Sequence, residues 1–217
     1  MLRIACPHTA DSNIEVFDVA LQELGTEGVE LHHSVRADLL AAAEQAGGLT
    51  PEIAERTAGT LRGLCDDADA VLLTCSTLGP AAEAAATCAS VPMFRVDAML
   101  AREAVRSGGK VAVLCAVQTT MEPTRFLFEK EARATGTEVV MHFVSGAWDV
   151  FKAGDRSRYL SMIAVAADKA FQGGAVQVVL AQASMAGAAK LAIGGRAPLT
   201  SPTVGLAAAI EAAAAQP

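Results

Sequence analysis

The chain has 217 residues, long enough for one large α/β domain or for two small lobes that share a cleft. Hydrophobic residues make up 52% of it and aromatic residues only 4%, a balance that favours alanine-rich helices packed on aliphatic strands. The net charge is -7 and the Lys and Arg residues are scattered, so we expect no nucleic-acid partner.

Short apolar runs alternate with longer helical patterns along the whole chain. Strands are predicted at 3–6, 29–33, 70–74, 92–96, 110–115, 138–143, 176–181 and 198–201. Helices are predicted at 12–24, 51–65, 81–89, 98–107, 122–134, 158–171, 186–192 and 203–214. Such alternation predicts an α/β fold built from parallel βαβ units, with helices on both faces of the sheets.

The apolar runs are about five or six residues long, far below the ~20 residues that cross a bilayer. The first seven residues also lack the charged region and the long apolar core of a secretory signal. We therefore expect a cytoplasmic protein with no membrane partner.

No cofactor or metal site is predicted. The five cysteines form no CxxC pair, and the four histidines have no ligand spacing with them. In a reducing cytosol the cysteines are expected to be free thiols, most of them buried as small hydrophobic side chains. No dinucleotide or phosphate-loop fingerprint appears, and no Lys lies in a recognisable pyridoxal phosphate context.

The sequence contains an internal repeat. Residues 71–82 align without a gap over residues 178–189, an offset of 107 positions. The same offset places residues 3–5 over residues 110–112. It also places the pair Val91-Pro92 within one residue of the pair Ala197-Pro198. Strand–turn–helix segments rich in Val, Leu and Ala can look alike by chance, but three landmarks at nearly one offset favour a true repeat.

The repeat predicts two pseudo-symmetric lobes, 1–96 with 203–217 and 97–202, each a small parallel sheet flanked by helices. Ligands of open parallel sheets bind beyond the carboxyl ends of the strands. The active site is therefore expected in the cleft between the lobes, where Cys75 and Gln182 would face each other after the third strand of their lobes.

Cys75 is the candidate reactive residue. It follows a buried strand and precedes a helix predicted to begin near Gly79, where the helix dipole and free N–H groups stabilise a thiolate. The same N–H groups and the hydroxyls of Ser76 and Thr77 form an anion cradle. The alternative is a buried structural cysteine, which is the expectation for the other four, but the polar neighbours favour a reactive thiol.

Neutral hydrogen-bond donors follow several other strands and suit the oxygens of a carboxylate. Gln182 mirrors Cys75, and its amide either binds the ligand or is an ordinary strand-end group, but it cannot act as a base. Ser12 and Thr120 have helix capping as an alternative role. His8 is either a proton carrier or only a surface group. The predicted substrate-binding residues are Thr9, Asn13, Ser76, Thr77, Thr119, Thr120, Gln182, Ala183 and Ser184.

The chain resembles the aspartate/glutamate/hydantoin racemase superfamily, whose relatives include maleate isomerase and arylmalonate decarboxylase. The resemblance covers nearly the whole chain and rests on the two-lobe repeat, on the run Thr74–Gly79 after a strand and on the mirrored run Gln182–Ala186. It implies cofactor-independent chemistry next to a carboxylate, and a dimer or larger ring is common among such enzymes. The tract 146–155 is either a mobile cover or a subunit contact.

In racemases of this superfamily two cysteines flank the substrate. Cys75 matches the first, whereas Gln182 stands where the second would be, so the symmetrical two-thiol mechanism cannot operate as written. Our leading prediction is a racemase or isomerase of the amino-acid type, independent of pyridoxal phosphate, acting on a small acid or amino acid. It would use Cys75 with another acid such as His8 or a water.

Two alternatives remain open. One is a one-thiol enzyme, either a decarboxylase of a substituted malonate or an isomerase with covalent attack by Cys75, although the decarboxylase relative keeps its cysteine in the opposite half. The other is a non-catalytic protein that binds a small acid on the same fold.

Overall fold

Eight strands alternate with helices in the residues that the computed structural model describes, which are 1–106, 108–194 and 196–216. The strands are β1 Leu2–His8, β2 Val29–Val35, β3 Ala70–Leu73, β4 Met93–Arg95, β5 Lys110–Cys115, β6 Glu138–Phe143, β7 Gln177–Leu180 and β8 Leu199–Thr200. The α-helices are α1 Ser12–Leu24, α2 Ala37–Gln45, α3 Pro51–Gly63, α4 Gly79–Ala86, α5 Val96–Val105, α6 Met121–Ala132, α7 Ala147–Lys152, α8 Arg156–Gln172 and α9 Ser201–Ala214.

The predicted strands all exist, and the differences concern helices. The segment predicted as a helix at 186–192 is instead a 3-10 helix, Ala183–Lys190, and a second 3-10 turn covers Gln118–Thr120. Helices α2 and α7 were not predicted. The predicted end of α5, at Ser107, lies outside the described residues.

The strands form two four-stranded parallel sheets with the same order, β2-β1-β3-β4 and β6-β5-β7-β8. The register repeats as well. Ile4 pairs with Ala70 in the first sheet and Val111 with Gln177 in the second, so each residue of the second pair lies 107 positions after its counterpart. The α/β prediction of two small parallel sheets flanked by helices is confirmed.

The chain divides into two compact units, Met1–Met99 with the C-terminal segment from Pro202, and Leu100–Ser201. Helix α9 returns to the first unit, where Gly205 lies close to β3 and to the start of α5. A Cβ atom at Gly205 would come within 2.6 Å of Val96 Cγ2 and 3.4 Å of the Leu72 methyl groups. The absence of a side chain at Gly205 therefore allows α9 to pack directly on these residues.

Helix α3 of the first unit has a clear start. Pro51 occupies its first turn, where the missing N–H costs nothing, and the Thr50 hydroxyl accepts a hydrogen bond from the Ile53 N–H at 3.3 Å. The predicted cap is confirmed. Ile53 and Leu61 then lie buried against Leu73 of β3, which anchors the sheet that carries Cys75.

The tract 146–155 contains helix α7, which packs on the core of the second unit. The rings of Trp148 and Phe151 stack at 4.9 Å, and Phe151 contacts the Tyr159 ring at 5.0 Å. Ala147 is fully buried in the same cluster. These contacts attach the tract to α8 through aromatic side chains.

None of the helices in the described part of the chain combines the length and apolar character that crossing a membrane requires.

Candidate active site

The loop after β3 carries Cys75 at the carboxyl end of the first sheet. The Gly79 N–H donates a hydrogen bond to the Ser76 carbonyl at 3.1 Å, so the chain turns here before α4 begins at Gly79 as predicted. Cys75 is 7% exposed and packs in the cluster that includes Leu78, whereas the side chains of Ser76 and Thr77 face solvent. The loop thus presents two hydroxyls beside a nearly buried thiol.

Arg95, at the end of β4, covers the first turn of α4. Its guanidinium donates two hydrogen bonds of 2.7 Å to the Asp97 carboxylate and forms an ion pair with Glu83 at 3.4 Å. A Cβ atom at Gly79 would collide with the guanidinium of Arg95. The absence of a side chain at Gly79 therefore leaves room for the Arg95 guanidinium, and this packing holds the start of α4 against the edge of the sheet.

His8 begins a chain of hydrogen bonds. Its Nδ1 lies 2.8 Å from Thr74 Oγ1 and its Nε2 lies 2.8 Å from His33 Nδ1, and His33 Nε2 lies 3.0 Å from Asp18 Oδ1. The Thr74 hydroxyl also lies 3.1 Å from the Pro7 carbonyl, which is a second acceptor for its single hydrogen. The carboxyl ends of β1 and β3 are thereby linked to β2 and α1 through polar side chains.

The prediction that His8 is only a surface group is wrong. His8 is the last residue of β1 and is fully buried, with the Phe17 ring 5.3 Å away. The pKa of His8 is lowered to about 4, chiefly by burial and then by His33, while Asp18 acts in the opposite direction. His8 is therefore a neutral imidazole near pH 7.

Thr9 and Asn13 follow β1 as predicted. Thr9 is half-buried and lines a cavity of about 10 Å³, the space of about one water, together with Arg36 and Thr60. Asn13 is half-buried in the first turn of α1. The predicted capping role of Ser12 is wrong, because Asp11 occupies the N-cap position, with no side-chain cap bond, and Ser12 is the first helical residue.

Gln182 joins the ends of two strands in the second unit. Its Oε1 accepts a hydrogen bond from the Ala116 N–H at 2.8 Å, which ties the loop after β7 to the loop after β5. The side-chain NH₂ of Gln182 makes no hydrogen bond within the described residues. Half of the amide is thus a structural contact, and the other half is a donor with no partner among the described residues.

Ser184 lies in the 3-10 helix after Gln182, beside half-buried Ala183. Its hydroxyl is 2.9 Å from the Tyr159 hydroxyl. Burial raises the pKa of Tyr159 to about 12, so this phenol stays protonated and a hydrogen bond with Ser184 satisfies it. Tyr159 was missed by the sequence analysis because it lies 25 residues away on α8.

Thr119 and Thr120 form the 3-10 turn after β5. Thr119 is exposed, and the Thr120 hydroxyl donates to the Val117 carbonyl at 2.8 Å, so Thr120 does not cap α6 with its side chain. The side chains of Thr120 and Thr124 also hydrogen-bond the Cys115 thiol. Burial raises the pKa of Cys115 to about 11 despite these bonds, and its side chain is inaccessible.

The predicted site residues therefore fall into two sets, each at the carboxyl ends of one sheet. The first unit holds Thr9, Asn13, Cys75, Ser76 and Thr77, and the second holds Thr119, Thr120, Gln182, Ala183 and Ser184. Across the described ranges, no group of three or more His, Cys, Asp or Glu is arranged to hold a metal ion.

A wider groove lies elsewhere in the described part of the chain. It has a volume of about 560 Å³ and runs between β6 and α8, lined by Phe143, Ser161 and Lys169 among others. None of the predicted site residues lines it, and it is open to solvent. Its size alone does not make it an active site, because it lacks the cysteine and the strand-end donors.

The family follows from the whole-chain comparison. A family model described as Asp/Glu/Hydantoin racemase matches residues 7–210. The chain therefore belongs to the Asp/Glu/hydantoin racemase family, as its sequence features predict. A search of curated protein sequences finds no match.

Solved structures agree with this assignment. The chain is similar to the aspartate racemase of Picrophilus torridus, with a TM-score of 0.71, 12% identity, and coverage of 99% of this chain and 95% of that one. It is similar to the allantoin racemase of Klebsiella pneumoniae, with a TM-score of 0.70, 15% identity and coverage of 99% and 88%. It is also similar to the maleate isomerase of Pseudomonas putida S16, with a TM-score of 0.56, 14% identity, and coverage of 95% of this chain and 90% of that one. At these identities the likeness shows the fold alone, and family membership supports an isomerase-type enzyme.

Proposed function

We propose that this protein is a cofactor-independent racemase or isomerase that acts at the carbon next to a carboxylate of a small acid or amino acid. Cys75 is its single catalytic thiol. The observation that carries the proposal is the position of Cys75 at the carboxyl end of β3, beside two exposed hydroxyls and ahead of the first turn of α4. Family membership supports the same class of reaction.

The chemistry follows from the groups in the loop. The thiolate of Cys75 removes the proton from the carbon next to the carboxylate, and negative charge moves onto the carboxylate oxygens. Donors that already point at those oxygens lower the barrier, because they need no reorganisation as the charge develops. The hydroxyls of Ser76 and Thr77 are such donors, and Thr9 and Asn13 come from the neighbouring strand end.

Gln182 is proposed to bind the same substrate through its side-chain NH₂. Its carbonyl oxygen is engaged by the Ala116 N–H, which fixes the orientation of the amide. Thr119, Thr120, Ala183 and Ser184 belong to the same proposed half of the site. An amide cannot return a proton as a thiol would, so the proton that completes the reaction must come from another group.

A second candidate function follows from this single thiol. Decarboxylation of a substituted malonate needs one proton donor, and one thiol with a set of carboxylate-binding donors meets that need. The observation that favours it is Gln182 at the position that mirrors Cys75. A small carboxylate is the only partner that we propose for the site, while self-association and a cytoplasmic location remain predictions.

The test is a panel of small chiral acids, amino acids and substituted malonates in heavy water, followed by proton NMR. We expect deuterium to enter next to the carboxylate with wild-type protein and not with Cys75→Ala. Cys88→Ser is the matched control, because Cys88 is an exposed thiol outside the site. Loss of CO₂ would identify the decarboxylase instead. Binding that persists in Cys75→Ala without any exchange or turnover in the wild type would contradict both enzymes.

A further inference from the structure

A continuous chain of polar side chains leads from the strand before Cys75 to the protein surface. Thr74, next to Cys75 in sequence, contacts His8, which contacts His33, which contacts Asp18, at 2.8, 2.8 and 3.0 Å. His8 has no exposed surface, the His33 side chain is 14% exposed and that of Asp18 is 50% exposed. These hydrogen bonds thus connect a buried position to solvent without interruption.

One arrangement of the protons fits these contacts with two neutral histidines and a negatively charged Asp18. The Thr74 hydroxyl donates to His8 Nδ1, His8 Nε2–H donates to His33 Nδ1, and His33 Nε2–H donates to the Asp18 carboxylate. Both imidazoles are neutral. The Pro7 carbonyl keeps a partner, because the Thr74 backbone N–H donates to it at 3.2 Å.

The same positions accommodate one additional proton. His33 then donates from both nitrogens, to His8 Nε2 and to Asp18, and is an imidazolium paired with a carboxylate. His8 donates from Nδ1 to Thr74, and the Thr74 hydroxyl turns to the Pro7 carbonyl, which lies 3.1 Å away. Each donor again meets an acceptor, so the second arrangement requires no movement of heavy atoms.

We propose that Thr74, His8, His33 and Asp18 form a reversible proton store for the reaction at the Cys75 loop. A proton that reaches the Thr74 oxygen through a water releases the hydroxyl proton to His8 Nδ1. His8 passes its Nε2 proton to His33 Nδ1. Only O–H, S–H and N–H bonds form and break, one proton is taken up, and the reverse sequence returns it.

The surroundings explain why the proton rests on His33. Burial, and then His33, lower the pKa of His8, so His8 conducts the proton without keeping it. Asp18 supplies the carboxylate at the solvent end of this series of hydrogen bonds. Cys6 on β1 is a second titratable group near Asp18, and burial followed by Asp18 raises the pKa of that thiol, so it stays neutral. Arg36 contributes its backbone N–H to the His8 carbonyl, while its guanidinium binds Asp38.

The internal repeat supplies an independent argument. The positions of the second unit that correspond to His8 and Thr74 are Cys115 and Ala181, each 107 residues later. Alanine has no hydroxyl, and Cys115 is bonded to threonine side chains of α6 and its preceding turn. The store therefore occurs in the unit that holds Cys75. It would take up and return the proton that Cys75 exchanges with the substrate, and in this respect it rests on the proposed function.

In the store Asp18, His33 and His8 are positioning residues, since only Thr74 adjoins the Cys75 loop. The first test is independent of turnover and follows the histidine side-chain nitrogens by NMR as the pH is lowered. We expect His8 to change from the Nε2–H to the Nδ1–H tautomer as His33 takes up its proton. Asp18→Asn should suppress this change, whereas His32→Asn, on the opposite face of the same strand, should not.

The second test uses the turnover found with the substrate panel. Asp18→Asn and Thr74→Val should lower kcat at least about tenfold with KM changed less than about twofold, and Thr74→Ser should restore most of it. In acid the store fills with a proton and cannot accept another. The Asp18 carboxylate stabilises the filled form, so Asp18→Asn should also move the acidic limb of the pH profile to lower pH. A purely structural role would not move that limb.

The two hypotheses fail in different ways. If His8 keeps one tautomer throughout the His33 titration, or if the acidic limb stays in place in Asp18→Asn, the store is overturned while the racemase or isomerase proposal stands. If the wild type turns over nothing in the panel, the proposed function fails, and the NMR result still decides whether the chain takes up a proton as described.

Discussion

The Oε1 atom of Gln182 accepts the Ala116 N–H at 2.8 Å, so the side chain that mirrors Cys75 connects the ends of β7 and β5. A cysteine at this position would be too short to make the same contact and would leave the N–H of Ala116 without that partner. The two units thus differ in structure as well as in chemistry at their equivalent loops. Gln182 therefore has a structural role that does not depend on a bound ligand.

Gln182→Ala should therefore affect both stability and binding. We expect the free energy of unfolding to fall by about 1–2 kcal/mol, because the Ala116 N–H loses its acceptor. Substrate affinity should also fall, since the free NH₂ is removed. Urea denaturation and calorimetric titration measure the two effects. Gln177→Ala is a suitable control, since that side chain donates a hydrogen bond to the nearby Val178 carbonyl. Unchanged affinity in Gln182→Ala would remove this residue from the proposed site.

Alkylation can separate a reactive Cys75 from a merely buried one. Cys75 and Cys65 are equally inaccessible, at 7% and 8%, so exposure alone predicts equal rates with iodoacetamide. We expect Cys75 to react much faster, because it lies at the start of a helix next to two hydroxyls, whereas the Cys65 thiol bonds the Leu61 carbonyl. Mass spectrometry of partly labelled protein measures both rates in one sample. Equal rates would contradict an activated Cys75.

Substitution of Gly79 tests the support of the Cys75 loop. Gly79→Ala should destabilise the protein by about 1–3 kcal/mol, because the new methyl group meets the Arg95 guanidinium, which Asp97 holds in place. Activity should fall with it, since the loop must shift. The matched control is Gly59→Ala, where the nearest atom lies 4.0 Å away and the change should stabilise helix α3 by about 0.5–1 kcal/mol. Equal effects at the two glycines would contradict the role of Arg95.

Much of the fold could be predicted because it depends on local patterns. Apolar runs of strand length and the offset of 107 residues specify two equivalent sheets, and the pairing of Ile4 with Ala70 repeats at Val111 and Gln177. Helix α7 was missed because its pattern is weak. Helix α7 has only six residues, and its stability comes from aromatic contacts with Tyr159 on the next helix.

The candidate site was predicted only as far as neighbours in sequence allow. Cys75, Ser76 and Thr77 form one run and were identified together. The partners of His8 lie 25 and 66 residues away, and the strand order that brings them together cannot be read from the residues alone. The same holds for Tyr159 and Ser184, because their contact depends on α8 lying over the 3-10 helix.

The buried Tyr159 predicts a loss of stability at high pH. Its folded pKa of about 12 lies above the ordinary tyrosine value of 10.0, and that of Cys115, about 11, lies above the ordinary cysteine value of 9.0, in both cases chiefly through burial. The unfolded chain therefore releases these protons first, so stability is fully present below pH 9 and falls as the pH rises through 11 and 12. Tyr159→Phe should flatten the upper part of this decline, at a cost of about 1 kcal/mol near pH 7 from the lost contact with Ser184. Denaturation midpoints across this range give the measurement, and an unchanged slope in Tyr159→Phe would contradict it.

The buried His8 predicts the opposite behaviour in acid. Its folded pKa of about 4 lies below the ordinary histidine value of 6.5, so between these values the unfolded chain binds the additional proton. The stability that neutral His8 contributes is therefore present above pH 6.5 and is lost as the pH falls through 4, by an amount on the order of 3 kcal/mol. His8→Gln removes the titrating group, so its free energy of unfolding should vary less over this interval, whatever its value at pH 7. His32→Asn, which removes an exposed imidazole, should keep the wild-type slope. If His8→Gln loses stability in acid as steeply as the wild type, the buried imidazole is not the group that titrates.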